Sequence, residues 1–159
     1  MDDRVRRADE RDLPLLAGIE RTGDKMFADQ GINFPPGPMV IEAMVAYGAE
    51  ILVAGDPPIG FAGIIALDDH PHLEQISVHA DHGRRGIGTR LLTEVIDREG
   101  PGLTLITFRD VPWNAPWYAK HGFTEWPEAE WGPALTRHWR TEIAAGLHAQ
   151  GPRLVMRHP

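Results

Sequence analysis

The strongest constraint on the fold lies in residues 73–98, which read LEQISVHADHGRRGIGTRLLTEVIDR. A β-rich run leads into a turn with three glycines and two arginines, and apolar residues at helical spacing follow. The pattern predicts a strand over 72–78, a turn over 83–88 and a helix over 86–98. The glycines let main-chain N–H groups approach a ligand closely, and a helix start carries unpaired N–H groups with partial positive charge. With the two arginine charges added, the turn is predicted to bind a phosphate or pyrophosphate.

The length and composition of the chain limit the classes of protein to which it can belong. The 159 residues, 42% of them apolar, suffice for one domain with a real core, and we expect a single domain over 1–159. A net charge of −7 argues against nucleic acid as a main partner. Cysteine is absent, so thiolate chemistry and disulfides are excluded. A charged N-terminus and the lack of a long apolar run predict a cytoplasmic protein with no membrane partner.

The rest of the chain predicts an α+β fold with a central meander followed by one βαβ unit. Periodicity and glycine or proline breaks indicate strands over 4–7, 51–54, 59–67, 72–78, 103–108, 123–126 and 153–157. One helix is expected to end at about residue 22, with Asp9 or Asp12 as its N-cap. Further helices are expected over 24–30, 39–47, 86–98, 113–121 and 133–146.

Two phosphate-binding motifs fit the turn only in part. The P-loop pattern places glycines at Gly83 and Gly88, but Thr89 stands where that motif requires lysine. The dinucleotide fingerprint fits Gly86 and Gly88, but its third glycine position holds Leu91. An antiparallel meander before the turn also disagrees with a doubly wound parallel sheet.

A third interpretation is a resemblance to a known family. Gly83-Arg-Arg-Gly86-Ile-Gly88 is similar to motif A of the GCN5-related N-acetyltransferases (GNAT), usually written [QR]-x-x-G-x-[GA]. About 30 residues later, Tyr118-Ala-Lys-His-Gly122-Phe123 resembles the family's Y-x-x-x-G-F signature. The order of elements agrees over nearly the whole chain. The resemblance implies a mixed, mostly antiparallel central sheet with flanking helices and one βαβ unit.

The chain departs from the family pattern at two positions. Gly83 replaces the usual Gln or Arg, so one side-chain contact to pyrophosphate is lost, and Arg84 and Arg85 lie in the same loop as its potential replacements. Asn114 lies closer to Tyr118 than the family's usual asparagine does.

The resemblance implies acetyl-CoA as co-substrate, held without a metal. The N–H groups of 84–89 would bind the pyrophosphate, and the main chain of 76–78 would pair with the pantetheine arm as an added strand does. The N–H of Ser77 or Ile76 would meet the acetyl carbonyl and stabilise charge on its oxygen. The expected cofactor-binding residues are Ile76, Ser77, Val78, Gly83, Arg84, Arg85, Gly86, Ile87, Gly88, Thr89 and Asn114.

Two residues are candidates for moving protons. Glu74 is a carboxylate in the middle of a central strand, where a period of two places it on one face with His72 and Ile76. Partial burial would suit it to accept the amine proton, directly or through water. The structural alternative is a solvent-facing or arginine-paired carboxylate. Tyr118 is the candidate acid for the CoA thiolate by resemblance, against the alternative of a packed aromatic.

The acceptor site is less defined. Phe27, Phe34 and Trp113 are candidate lining residues around a proline-rich loop, although most aromatics are core. His72 is a candidate for contact with the acceptor or for relaying protons beside Glu74. The histidines around it lack a matching set of acidic or cysteine ligands at metal spacing, so no metal is expected.

The resemblance implies transfer of acetyl from acetyl-CoA to a primary amine, and the transfer is expected to be direct, since no nucleophile for a covalent intermediate is evident. A small-molecule acceptor is expected, with an amino acid, an aminoglycoside, a polyamine and a protein N-terminus all open. Another acyl-CoA or an alcohol acceptor is an alternative within enzymes. A CoA-binding regulatory module without catalysis is the alternative from another class. The sequence does not fix the oligomeric state, and the resemblance allows a homodimer, because dimers are common in this family and are the commonest closed assembly.

Overall fold

A computed structural model describes residues 4–159. They form a seven-stranded sheet in the order β1-β2-β3-β4-β5-β7-β6, antiparallel except for the β4–β5 pair. The strands are β1 (Val5–Arg7), β2 (Glu50–Ala54), β3 (Gly60–Leu67), β4 (His70–Val78), β5 (Thr104–Phe108), β6 (Thr124–Glu125) and β7 (Arg153–Arg157). The predicted α+β class, the meander and the single βαβ unit are confirmed.

Six α-helices accompany the sheet in the described part of the chain. They are α1 (Leu13–Arg21), α2 (Asp24–Ala28), α3 (Val40–Ala46), α4 (Ile87–Glu99), α5 (Ala115–Lys120) and α6 (Pro133–Ala144). Short 3-10 helices occupy Ala80–His82, Glu128–Glu130 and His148–Gln150. Within residues 4–159, no helix combines the length and apolar character that crossing a membrane requires.

Two apolar cores lie on opposite faces of the sheet. On one face, α4 buries Ile87, Leu91, Leu92 and Val95 against β2–β5, together with Tyr118 and Phe123 from the α5 region. On the other face, α1 and α3 bury Leu16, Ile19, Ile41 and Met44 against β2 and β3. The apolar stripe predicted for α4 is confirmed. Gly63 permits the second core to pack closely, because a Cβ there would lie 2.7 Å from Sδ of Met44.

The start of α1 differs from the sequence expectation. Asp12 occupies the N-cap position but makes no capping bond with its side chain. It accepts two hydrogen bonds from Arg6, at 2.7 and 3.0 Å, and one from the N–H of Asp9 at 2.8 Å. A buried carboxylate with a bidentate arginine partner gains more from that pair than from one cap bond, and here the pair ties β1 to α1.

Candidate active site

An opening between β4 and β5 is the central feature of the site. The two strands pair in parallel only at His72 and Thr104, after which they separate. The N–H of His79 donates to the carbonyl oxygen of Ile59, the residue before β3. Because N–H groups alternate in direction along a strand, the N–H of Ser77 also points toward β3. The N–H and C=O groups of Ile76 and Val78 therefore face the opening. Of the two expected carbonyl donors, Ile76 is the one on the open side.

A β-bulge interrupts β4 at Glu74. Gly63 pairs with Gln75 and Ile64 pairs with Leu73, which leaves Glu74 as an extra residue without a partner on β3. Bulges re-aim side chains next to functional sites. Glu74 keeps its carboxylate near His72, as predicted. Ile76, however, packs into the α4-side core, so the predicted common face of Glu74 and Ile76 is wrong.

The glycine turn lies at the far end of the opening. Gly86 has a φ of 78° and is the N-cap of α4, and Arg84 also has a positive φ of 65°. Left-handed residues within a turn, as at Arg84 and Gly86, point neighbouring main-chain N–H groups into one concavity. The N–H of Arg90 bonds to Gly86, so those of Ile87, Gly88 and Thr89 are the unpaired donors of the first helical turn. The N–H of Gly83 already donates to Ala80.

The second expected catalytic residue, Tyr118, lies on α5 and is 7% exposed. Its ring contacts those of Trp117 and Phe123, with centroids 5.0 and 5.6 Å away. Burial raises the pKa of Tyr118 well above the ordinary 10. The hydroxyl therefore keeps its proton throughout the neutral range, so that it can give up a proton there but cannot serve as a base.

Asn114 precedes α5 and has a structural partner. Its side-chain oxygen accepts the N–H of Phe108 at 3.3 Å, which joins the start of α5 to the end of β5. The side-chain NH₂ group is the part that remains for a cofactor contact.

Three of the candidate acceptor residues lie together. The ring of Phe27 is 5.1 Å from that of Phe34 and 5.4 Å from that of Trp113. They pack on Phe108 at the end of β5, with Ile32 and Val111. The three rings therefore form a small core beside the opening, and only Phe34 also borders a surface cavity of about 260 Å³.

His72 has a different environment from the one expected of an acceptor contact. It is 1% exposed, and its Nδ1 lies 2.8 Å from Oγ1 of Thr104. Burial, together with the charges of His138 and His70, lowers the pKa of His72 well below 6.5. It is therefore a neutral imidazole whose Nε2 lies 3.8 Å from Oε2 of Glu74, and its burial leaves no exposed surface for an acceptor to contact.

A chain of charged side chains extends from Glu74, and the sequence analysis missed it. Nε2 of His138 lies 2.7 Å from Oε2 of Glu74 and 3.4 Å from Oε2 of Glu142. The other oxygen of Glu142 accepts from Arg153 at 2.7 Å. We call Glu74, His138, Glu142 and Arg153 the charged network. The helical spacing of His138 and Glu142, i and i+4, was readable in the sequence, but their partners on β4 and β7 were not.

The network lies mostly out of solvent, which shifts its proton equilibria. Burial alone would lower the pKa of His138, but its close contact with Glu74 and the charges of Glu74 and Glu142 raise it above 6.5. Burial raises the pKa of Glu142, although Arg153 opposes that shift.

Ligand atoms of His72, Glu74 and His138 all lie within 4.8 Å of one another, a spacing that a metal ion also requires. The 2.7 Å contact between His138 and Glu74 is shorter than the roughly 3.4 Å that separates two ligands on one tetrahedral zinc. We therefore interpret it as an ion pair.

A cleft of about 870 Å³ opens beside this network. Its wall includes Tyr47, Ile65, His70 and His138, together with the acidic Glu50, Asp69 and Glu99. The carboxylate of Glu74 is close enough to raise the pKa of Tyr47, in addition to the effect of burial. The cleft thus connects solvent to His138 at the edge of the site.

Comparisons with known proteins agree with this geometry. Residues 47–125 match the family model described as an acetyltransferase (GNAT) domain. The chain is similar to N-acetylglutamate synthase from Neisseria gonorrhoeae, with 20% identity, a TM-score of 0.70, and 98% of this chain but 34% of that chain covered. It therefore spans about a third of that protein.

Two further structures cover the chain from end to end. The ribosomal-protein-S18-alanine N-acetyltransferase from Escherichia coli matches with 18% identity, a TM-score of 0.65, and coverage of 99% and 93%. The PaiA N-acetyltransferase from Thermoplasma acidophilum, solved with coenzyme A, matches with 16% identity, a TM-score of 0.64, and coverage of 99% for each chain. The family model matches the region that carries the glycine turn and the Tyr118 signature, and the fold agrees over the rest: the chain belongs to the GNAT acetyltransferase superfamily.

Proposed function

We propose that this chain, acting as one domain, transfers the acetyl group of acetyl-CoA directly to the primary amine of a small molecule. The opening between β4 and β5 carries this proposal. It presents unpaired main-chain groups at Ile76 and Val78, with the helix start of α4 at one end and Glu74 beside it. That arrangement suits a long cofactor with an anionic head and a reactive far end.

Cofactor binding follows from these groups. The N–H groups of 84–89 and the charges of Arg84 and Arg85 would hold the pyrophosphate. The pantetheine amides would pair with Ile76 and Val78, as an added strand pairs with a sheet edge. The thioester carbonyl would then accept the N–H of Ile76, which stabilises the negative charge that develops on its oxygen.

The acceptor amine arrives as an ammonium ion and loses two protons on becoming an amide. Glu74 takes the first proton, the free amine attacks the thioester carbon, and a C–N bond forms as the C–S bond breaks. Tyr118 gives its proton to the departing thiolate and regains one when the nitrogen loses its second proton. The raised pKa of Tyr118 keeps that proton in place until sulfur carries charge.

The acidic wall of the cleft favours a cationic acceptor. Glu50, Asp69 and Glu99 line it, and burial together with the nearby Glu50 raises the pKa of Glu99. Each of two neighbouring carboxyl groups disfavours the ionised form of the other, and a bound cation would favour the ionised form of both. A small amine meets this need, and we therefore place it ahead of a protein N-terminus.

Thiol release from acetyl-CoA tests the function. The chain is incubated with acetyl-CoA and a panel of amino acids, aminoglycosides, polyamines and an N-terminal peptide. Free thiol is measured with DTNB and the acetylated product by mass spectrometry. Thiol and product formed in equal amounts with a small amine support the proposal. CoA binding without turnover across the panel supports the regulatory module instead.

A further inference from the structure

His138 is the residue of α6 that reaches the centre of the site. Its side chain is 21% exposed, so it is neither fully enclosed nor a surface group. Its Nε2 lies 2.7 Å from Oε2 of Glu74, yet neither atom makes a well-aligned hydrogen bond to the described residues. Oε2 of Glu74 is thus a buried acceptor with capacity left for a donor, and an acceptor amine would supply one.

We propose that His138 is a positioning residue that takes over from Glu74 the proton lost by the acceptor amine. This inference rests on the proposed function. The proton balance has three steps: an ammonium N–H proton moves to the carboxylate of Glu74, the carboxyl proton moves to Nε2 of His138, and the imidazolium releases its Nδ1 proton to water in the cleft, because Nε2 itself is buried. Each transfer breaks one bond to hydrogen and forms another, and no other reactant is needed.

The charges of the network make this sequence favourable. With His138 neutral, Glu74 and Glu142 carry two negative charges and Arg153 one positive charge. The network then has a net charge of −1 and attracts an ammonium ion. After the proton has moved to His138, the network is neutral and the amine is an uncharged nucleophile.

A protonated His138 has the opposite effect. It already compensates Glu74, so an incoming ammonium finds no uncompensated carboxylate and no free site for its proton. Turnover should therefore rise as the pH increases through the raised pKa of His138. The titratable or charged groups that face the imidazole are Glu74 and His72 from β4, Glu142 from α6 and Arg153 from β7.

Neighbouring groups favour His138 over His72 as the proton acceptor. The hydroxyl of Thr104 can give its own proton to Pro71 or His70, so it accepts the Nδ1 proton of His72. A second proton, on Nε2, would make His72 a buried cation, and burial lowers the pKa of His72 and so keeps the ring neutral. His138 is also part of the cleft wall and has a path to water.

The test compares His138→Gln with His148→Gln. Both remove a histidine of the C-terminal part of the chain, but His148 packs on Trp139 and interacts with the network only through the charge of Arg153, whereas His138 contacts Glu74 directly. Using an amine found with DTNB, kcat and KM are measured from pH 6 to pH 9.5. At neutral pH we expect His138→Gln to lower kcat at least about tenfold, less than the roughly 10²–10⁴-fold of a direct acid–base group. CoA affinity by calorimetry should not change.

The pH dependence separates a proton-accepting role from a merely structural one. Because the amine itself loses its proton at high pH, the deficit of His138→Gln should shrink toward pH 9.5. A structural defect would lower kcat by the same factor at every pH. An unchanged kcat, a pH-independent deficit, or zinc bound to the purified protein in stoichiometric amount would overturn the inference.

A second readout does not depend on turnover. The ring resonances of His138 are titrated by NMR in the wild-type chain and in Glu74→Gln, and its pKa should fall when the carboxylate charge is removed. A pKa that stays the same contradicts the inference. Loss of activity in Glu74→Gln with full activity in His138→Gln would reject the inference but leave the proposed function intact. A wild-type chain that releases no thiol with any amine would reject both.

Discussion

Nε2 of His138 lies 2.7 Å from Oε2 of Glu74. Helix α6 therefore contacts β4 at Glu74, the residue that interrupts the pairing of β4 with β3. The bulge turns Glu74 toward α6, and Glu142 and Arg153 hold α6 against β7. Catalysis in this account therefore depends on a contact between two distant segments, in addition to the local glycine turn.

Replacing Glu74 by glutamine should abolish most of the activity. The amide keeps the size of the side chain but cannot accept a proton, so kcat/KM should fall by roughly 10²–10⁴-fold. The affinity for CoA should stay the same. Steady-state DTNB assays check this, with Glu94→Gln on the outer side of α4 as the matched control, since Glu94 is a partly exposed carboxylate that pairs with Arg98 on its own helix. Equal kcat/KM for the wild type and Glu74→Gln would reject Glu74 as the base.

Replacing Tyr118 by phenylalanine should slow the departure of the thiolate. The buried ring keeps its contacts with Trp117 and Phe123, so the unfolding temperature should change little. The loss of the hydroxyl proton should lower kcat by about 10²-fold while KM for the amine is unchanged. A rise in KM with an unaltered kcat would assign Tyr118 to binding instead.

Asp68 connects the β3–β4 turn to the helix that carries His138. Its two oxygens accept the N–H groups of Ala134 and Leu135 at 2.7 and 2.8 Å, which caps α6. Asp68→Ala should reduce the free energy of unfolding by about 1 kcal/mol. Chemical denaturation at pH 7 measures this change. Removal of the cap should also lower kcat, because α6 would hold His138 less firmly.

The effect of Asp68 has a defined pH dependence. Burial would raise its pKa, but the N–H groups of Leu135 and Ala134 lower it below 3.8. A carboxylate with a lowered pKa stabilises the fold above its unfolded value, and that stability is lost as the pH falls through the folded pKa. The difference between wild type and Asp68→Ala should thus be full at neutral pH and shrink below about pH 4. A difference that grows on acidification would contradict the assignment.

Gly86 should resist substitution more than its neighbour in the same turn. Its φ of 78° suits glycine, whereas Gly83 has a φ of −63°. Gly86→Ala should cost roughly 1–2 kcal/mol of stability and weaken CoA binding, because the first N–H groups of α4 would turn away. Thermal unfolding should show little change for Gly83→Ala. Similar losses of stability in both variants would exclude backbone conformation as the cause.

Local patterns in the sequence were sufficient for much of this structure. Glycine breaks and alternation predicted the strands, and the spacing of Leu91, Leu92 and Val95 predicted the buried face of α4. These features depend on neighbours within a few residues. The same is true of the glycine turn and its positive φ at Gly86.

What the sequence missed depends on long-range contacts. Strand alternation placed Glu74 and Ile76 on one face, but a bulge is set by pairing with β3 and reverses that relation. Asp9 or Asp12 was expected to cap α1, but the side chain of Asp12 instead binds the guanidinium of Arg6 on the neighbouring strand β1. Helical spacing showed that His138 and Glu142 share a face of α6, but not that this face meets Glu74 and Arg153.

A crystal structure of the chain with acetyl-CoA tests whether the cofactor binds in the opening between β4 and β5. The pyrophosphate should lie on the N–H groups of residues 84–89, the pantetheine arm beside Ile76 and Val78, and the thioester carbonyl near the N–H of Ile76. The acetyl carbon should lie between Glu74 and Tyr118. An opening between β4 and β5 that stays empty at saturating acetyl-CoA, or a cofactor bound elsewhere on the chain, would contradict this mode of binding.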